Sequence, residues 1–413
     1  MKTKDLIYKA SYVFANNGIR QITAVLVSIF IANLYGPQGR GEYVLFTSIT
    51  AITSIILSLG IVNSLVYQIK HKLISVKQSV YILISHLIVG VFISLVSILA
   101  LINFTDLLSS IYRYEIYQLI ILYLLYFLVT PLSLFIAAYL LAIGDISAYR
   151  NYIILNCVAI IFGFLCVYLG KATKEIHPVV ILVFVDTLVN FLIIKKIISN
   201  QIISPIRYHQ LKTIYSYALK GYIAGLSSII LGRIENLAIP LLSNVYILGI
   251  YSIAKTFYNI VITIPTAFSG YIFGVFCDNE RSLNIQICLK VMGLILILGL
   301  VFIVFSFYFI DHFLILVFGN DFSSAISPAK ILVISAIVFG VSMPINSLMF
   351  AIGKPSVPSI IGVIGITSII IMMFLLIPKY SIMGAAYSSL FGSVAITIMR
   401  CSFFMKFLLK EYR

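Results

Sequence analysis

Six charged side chains stand inside apolar stretches long enough to cross a bilayer: Arg20, Asp186, Arg233, Glu235, Lys255 and Lys330. A charge at the centre of a membrane helix costs at least about 2.5–3.5 kcal/mol on insertion scales, so such groups face a bundle interior or a wet cavity. Their chemistry would be the binding of an anion, with a proton or sodium ion carried alongside. Four are cations and two are acids. A pathway with surplus positive charge suits an anionic substrate. Phosphate or pyrophosphate on a lipid carrier is one such anion, and the planar fork of arginine matches its oxygens.

Each residue also has a plainer reading. Arg20 has Asn16, Asn17 and Thr23 nearby, and Asn16, Arg20 and Thr23 fall at i, i+4 and i+7, on one expected face. That face lines a cavity or makes a single structural hydrogen bond. Tyr251, Lys255, Tyr258 and Asn259 share a face by the same spacing, and Lys255 either lines a cavity or snorkels to the interface. Arg233 and Glu235 in LGRIENLAIP read either as a helix-end pair of little worth or as a cavity cation beside a proton or cation site. Asp186 titrates during transport or hydrogen-bonds Thr or Asn neighbours. Lys330 lies within two turns of a helix end, where snorkelling and function read equally. The substrate-binding set is therefore Arg20, Lys255, Arg233, Lys330, Asn16, Asn17 and Asn259, with Glu235 and Asp186 for ion coupling. No catalytic or metal-binding set emerges. The five cysteines form no CxxC, and no histidine stands at ligand spacing.

The elements that must hold these residues are membrane helices. Of the 413 residues, 62% are hydrophobic and 10% charged, against about a quarter charged in soluble domains. A span needs about 20 apolar residues. Breaks at charge, Gly, Pro and Asn clusters place spans near 11–34, 43–69, 79–102, 117–141, 151–170, 178–198, 213–234, 237–272, 286–310, 325–352, 357–377 and 382–408. The stretch 213–272 reads as two spans or three half-spans, because Gly232, Arg233, Glu235 and Asn236 interrupt it. Pro131, Pro240, Pro265 and Pro344 fall in or beside spans and can kink them as static bends or as hinges.

The net charge of +15 fits loop lysines and arginines that set orientation, rather than nucleic-acid binding. With the amino terminus inside, nineteen of the 28 Lys and Arg fall on the cytoplasmic side and five outside. Both termini are then cytoplasmic and the number of spans is even. The amino terminus lacks a cleavage site after a short apolar core and is expected to be retained. The longest polar connection, 201–212, separates an N-terminal lobe, 1–200, from a C-terminal lobe, 213–413, each with six spans. Six is even, so the halves would be parallel repeats. Tryptophan is absent, and tyrosines near the helix ends take its interfacial role.

Four segments carry a family resemblance: IANLYGPQGRGEYVLFTSI, RIENLAIPLLSNVYILGIYSIAKTFYNIVITIP, VFGNDFSSAISPAKILVISAI with the following MFAIGKPS, and IPKYSIMGAAYSSL. In this order they resemble the polysaccharide-export and oligosaccharide-lipid flippase family. Its superfamily also holds MATE multidrug exporters and the lipid II flippase. The resemblance implies an all-α polytopic, MATE-like fold of twelve helices in two six-helix lobes around a central cavity. It implies an undecaprenyl-pyrophosphate-linked oligosaccharide as cargo, an O-antigen or capsule repeat unit in lipopolysaccharide or polysaccharide biosynthesis. The cargo would move to the outer leaflet of the cytoplasmic (inner) membrane. Similar flippases have basic residues in the first and eighth helices, where Arg20 and Lys255 stand. Drug exporters of the superfamily tend to have an acid in the first helix, and this chain has none between Asp5 and Glu42.

The expected function is thus a flippase working by alternating access, and not an enzyme. The alternative is an ion-coupled multidrug or small-molecule antiporter of the MATE type. No cofactor is expected beyond coupling to a proton or sodium gradient. The partners are the lipid-linked substrate and membrane lipid, with a polysaccharide polymerase and chain-length proteins as candidates and no nucleic acid. A polymerase or ligase would need a large outer loop, and the expected outer loops 103–116 and 311–324 are short. No nucleotide motif supports an ATP-driven pump.

Overall fold

In a computed structural model of the chain, the described residues are 3–58, 145–170, 176–199, 208–278, 281–352, 354 and 356–411, with scattered positions from 64 to 143. Among them there are helices and no strand. The span expected over 79–102 lies largely outside the described residues, the one over 117–141 lies partly outside them, and Pro131 is not described.

The first helix, α1 (Thr3–Ser58), is two helices end to end. Gly36 breaks it with φ 65° and ψ −169°, and Pro37 follows. Glycine has no Cβ to oppose positive φ, and proline withdraws a backbone donor, so the pair turns the chain between spans. Helix α2 (Ile146–Leu169) begins five residues before the expected 151, because Asp145 caps it. The Asp145 carboxylate accepts from the Ala148 amide at 2.9 Å and from the Ser147 hydroxyl at 2.7 Å. These bonds favour its charged form and hold its pKa below the ordinary value. Helix α3 (Pro178–Ser199) matches its expected span closely.

Helices α4 (Tyr208–Leu242) and α5 (Val245–Asp278) show 213–272 as two spans, one of its two expected readings, and move the break between them. The stretch holds two long helices, and the break is at Ser243–Asn244. Gly232, Arg233, Glu235 and Asn236 all lie inside α4. Polar side chains do not interrupt a membrane helix when they find partners inside the protein. The true break carries the signal of a start, since Asn244 Oδ1 accepts the Ile247 amide at 2.8 Å. Pro240 and Pro265 sit within continuous helices.

Helix α6 (Arg281–Phe318) extends past both ends of its expected span and stops at Gly319, whose φ is 89°. A short 3-10 turn, Asn320–Ala325, leads into α7 (Ile326–Val341) and α8 (Met343–Ala351). The single span expected over 325–352 is therefore broken at Ser342, with Pro344 in the first turn of α8. The last helix, α9 (Ser356–Glu411), is again two, parted at Ser381 with φ 49°. That break falls between the expected spans 357–377 and 382–408.

Among the described residues seven helices are long and apolar enough to cross a membrane. Their outer faces suit lipid: Leu316 is 85% exposed and Val301 64%. Apolar area left in water forfeits about 25 cal/mol per Å², so a run of such faces marks a hydrocarbon solvent. The protein is an all-α polytopic membrane protein.

The chain forms two compact units. One joins Met1–Val44 to Ile230–Arg413, and the other is Leu45–Ile229. In the first, Ile272, Phe276, Cys288, Ile345, Leu348 and Ile396 form a buried core. In the second, Ile74, Ile82, Phe135, Ile136, Tyr152 and Val189 do so.

Candidate functional site

The turn at Ser243–Asn244 makes α4 and α5 a hairpin. Glu235 lies eight residues before Ser243, while Tyr251 and Lys255 lie seven and eleven after Asn244. At about 1.5 Å of rise per residue, Glu235 and Tyr251 sit at nearly equal depth, and the long Lys255 side chain can reach back. The structure uses that geometry. Lys255 Nζ is ion-paired with Glu235 Oε2. The Tyr251 hydroxyl donates to the same oxygen at 2.7 Å. The Glu235 side chain is only 3% exposed and that of Lys255 13%. The Lys255 ammonium also lies 4.6 Å from the Tyr258 ring centroid. The shared face of Tyr251, Lys255 and Tyr258 is present. Asn259, one turn beyond Lys255, is exposed.

Glu235 is therefore the counter-ion of Lys255. Arg233 is half-buried and engages other groups. Lys330 is not a free cation either. Its Nζ lies 2.7 Å from Asp311 Oδ1, across α6 and α7, and 5.3 Å from the Phe307 ring centroid.

Arg20 behaves differently. It is exposed on α1 and has no hydrogen-bond or ion-pair partner among the described residues. Thr23 does not share its surface. Thr23 is buried, and its hydroxyl donates back to the Ile19 carbonyl at 3.0 Å. Thr23, Val27 and Ile31 form the packed side of the helix, and Arg20 with Ala24 lies on the open side. Asn16 and Asn17 are in α1, but their side chains lie outside the described residues.

Asp186 belongs to the Leu45–Ile229 unit. It accepts from the Tyr126 hydroxyl at 3.0 Å and from the Asn156 amide at 2.8 Å. Next to it, Tyr152 donates to Asn190 at 2.8 Å. The side-chain partners of Asp186 are thus a tyrosine and an asparagine, while Thr187 donates to the Val183 carbonyl at 2.6 Å.

Three buried charges escaped the sequence reading. Arg400, 8% exposed, donates from Nη1 to Ser342 Oγ at 3.0 Å and stacks 4.8 Å from the Phe339 ring centroid. Its Nε has no partner among the described residues. Arg40 donates from Nε to Ser252 Oγ at 3.1 Å, and buried Glu42 accepts from Gln38 at 2.9 Å. Arg400 had a signal, since it stands eight residues inside the expected last span, but it was counted with the cytoplasmic charges. Arg40 and Glu42 lie at a span junction, where charge is ordinary. Among the described residues no three His, Cys, Asp or Glu side chains come together as metal ligands.

No protein-family model matches the sequence, and no curated protein does. Solved structures do. A multidrug resistance MATE family transporter of the MOP superfamily, in an inward-facing conformation, aligns with TM-score 0.76 and 16% identity over 92% of both chains. The lipid II flippase MurJ, in an inward closed conformation, aligns with TM-score 0.76 and 13% identity over 94% of this chain and 86% of that one. An outward-facing MATE family transporter gives TM-score 0.65 and 13% identity over 95% and 93%. The chain has the fold that MATE transporters and the lipid II flippase share, as the resemblance implied.

Proposed function

We propose that the protein is a flippase that moves undecaprenyl-pyrophosphate-linked oligosaccharide repeat units from the inner to the outer leaflet of the cytoplasmic membrane. The observation that carries this reading is Arg20: a guanidinium in a membrane span, exposed and without a partner among the described residues. A cation in a span is stabilised when an anion meets it, and pyrophosphate is a good match for its fork. Lys255 is the second basic group of the reading, and Arg233 the third. Asn16, Asn17 and Asn259 would serve sugar hydroxyls. Lys330, held by Asp311, is the weakest member of the set.

Physics supplies the need for such a protein. Each polar group dragged unsatisfied through hydrocarbon costs several kcal/mol, and an oligosaccharide carries many. Alternating access between two lobes, with both termini cytoplasmic, lowers that barrier. Coupling to a proton or sodium gradient through Glu235 or Asp186 belongs to the same reading. A polymerase and chain-length proteins are its candidate partners.

The second reading is an ion-coupled multidrug antiporter, and the likeness to MATE transporters favours it. The test is transport by purified protein in liposomes. A flippase moves a fluorescent polyprenyl-pyrophosphate sugar between leaflets, and Arg20→Ala slows it at least about tenfold, the factor for about 1.4 kcal/mol of lost binding. An antiporter instead accumulates a cationic dye when a proton or sodium gradient is imposed.

A further inference from the structure

The ammonium that an anion would use at Lys255 is already occupied. Glu235 holds it, and Glu235 is the more deeply buried partner. The carboxylate is anchored by a second donor, Tyr251, on the same oxygen, and Tyr251 in turn contacts Ser389 of α9. Lys255 has more freedom: its stem is flexible, and its ammonium already touches the Tyr258 ring, one turn from exposed Asn259. When the pair opens, the lysine therefore moves and the carboxylate stays.

The other charged and titratable groups nearby lie on α4, α5 and α9. On α5, Tyr251 and Tyr258 are neutral donors. On α9, Arg400 faces Tyr258 and is bonded to Ser342. On α4, Arg233 lies two residues from Glu235 and has its own contacts. A carboxylate left alone in this surrounding is a buried unpaired charge, which proteins avoid by neutralising it.

We propose that Glu235 is a built-in competitor for the Lys255 ammonium, which a substrate phosphate must displace, and that the displaced carboxylate takes up one proton. The proposal rests on the anionic-substrate reading above. The balance is simple. The ammonium–carboxylate contact opens, an ammonium–phosphate contact forms, and one proton passes from water to Glu235. One negative charge of the ligand brought to Lys255 is matched by that proton, because ammonium, neutral carboxyl and one phosphate charge sum to zero as the original pair does. Anion and proton then bind together.

The experiment uses the full chain in lipid nanodiscs, with farnesyl pyrophosphate as probe. Calorimetry in two buffers of different ionisation enthalpy counts protons taken up per probe bound. The work is done above pH 7.5, where a phosphate whose own last proton leaves near about pH 6 is already ionised. The expected result is uptake of about one proton, with affinity falling about tenfold per pH unit as linkage requires. Glu235→Gln takes up none, binds at high pH more tightly than wild type, and shows a flat pH profile. Binding by wild type without proton uptake overturns the proposal and leaves the anion site standing. Absence of binding by wild type removes the anion site, and the proposal with it. If Glu235→Gln does not fold, the proton count on wild type decides alone.

Discussion

Lys255 of α5 is ion-paired with Glu235 of α4, across a hairpin whose turn is Ser243–Asn244. Both side chains are largely buried, so the pair is held by geometry and not by water. Removing one partner of a buried pair strands the other and destabilises by about 3–5 kcal/mol, whereas replacing both by neutral groups is far milder. Lys255→Met alone and Glu235→Leu alone should each lower the melting temperature in detergent sharply. The double variant should recover most of the loss. Additive losses would mean that the two side chains do not depend on each other.

A second expectation concerns Arg400, whose guanidinium joins Ser342, at the α7–α8 break, to the face of Phe339. Lysine keeps the charge but loses the planar stack and the fork. Arg400→Lys should destabilise by about 1–3 kcal/mol, the range for leaving a buried polar group short of a partner. Ser342→Ala should fall in the same range. The two together should cost less than their sum, because each removes the same bond. Heat-induced aggregation followed by size exclusion reads all three.

Backbone contact gives a third. At Gly249 in α5, a Cβ would lie 1.8 Å from the Pro37 carbonyl oxygen, just past the Gly36 break. Backbone cannot yield as a side-chain tip can. Gly249→Ala should therefore destabilise by at least about 1–3 kcal/mol, the usual range for overpacking. By contrast Gly232→Ala, with open space around the new methyl, should be neutral or slightly stabilising, since alanine favours helix. Equal behaviour of the two would contradict the close approach of α5 to the Gly36–Pro37 turn.

The cap of α2 is sensitive to pH. Hydrogen bonds from the Ala148 amide and the Ser147 hydroxyl lower the Asp145 pKa. A lowered carboxyl contributes stability that is present above its ordinary value, about 3.9, and is lost as pH falls through the lowered one. Amides 147–149 should thus exchange faster, relative to their intrinsic rates, at about pH 2 than at about pH 5. In Asp145→Asn, which caps without titrating, the difference should vanish.

The spacing of Tyr251, Lys255 and Tyr258 made their common face legible, because helical periodicity is local. The partner of Lys255 was not legible. Glu235 is 20 residues away, and pairing it required the turn at Asn244, which the polar residues 232–236 obscured. The breaks at Gly36 and Ser381 were readable from Gly-Pro and Pro-Lys-Tyr-Ser punctuation. The break at Ser342 was not, since serine is unremarkable there and only Pro344 hinted at it. Arg40 and Arg400 were assigned to the two sides by counting lysines and arginines, which cannot tell a solvated arginine from one stacked inside the protein. Arg20 was legible because it stands inside the apolar stretch 11–34, where a charge needs a reason.

The most direct test of the central claim is the sidedness of lipid-linked oligosaccharide in cells lacking this protein, complemented by wild type, Arg20→Ala or Lys255→Ala at equal expression. The account predicts that the intermediate accumulates on the cytoplasmic leaflet without the protein, that wild type clears it, and that the two variants clear it at least about tenfold more slowly. If the oligosaccharide lipid reaches the outer leaflet at the normal rate without the protein, the flippase assignment is contradicted.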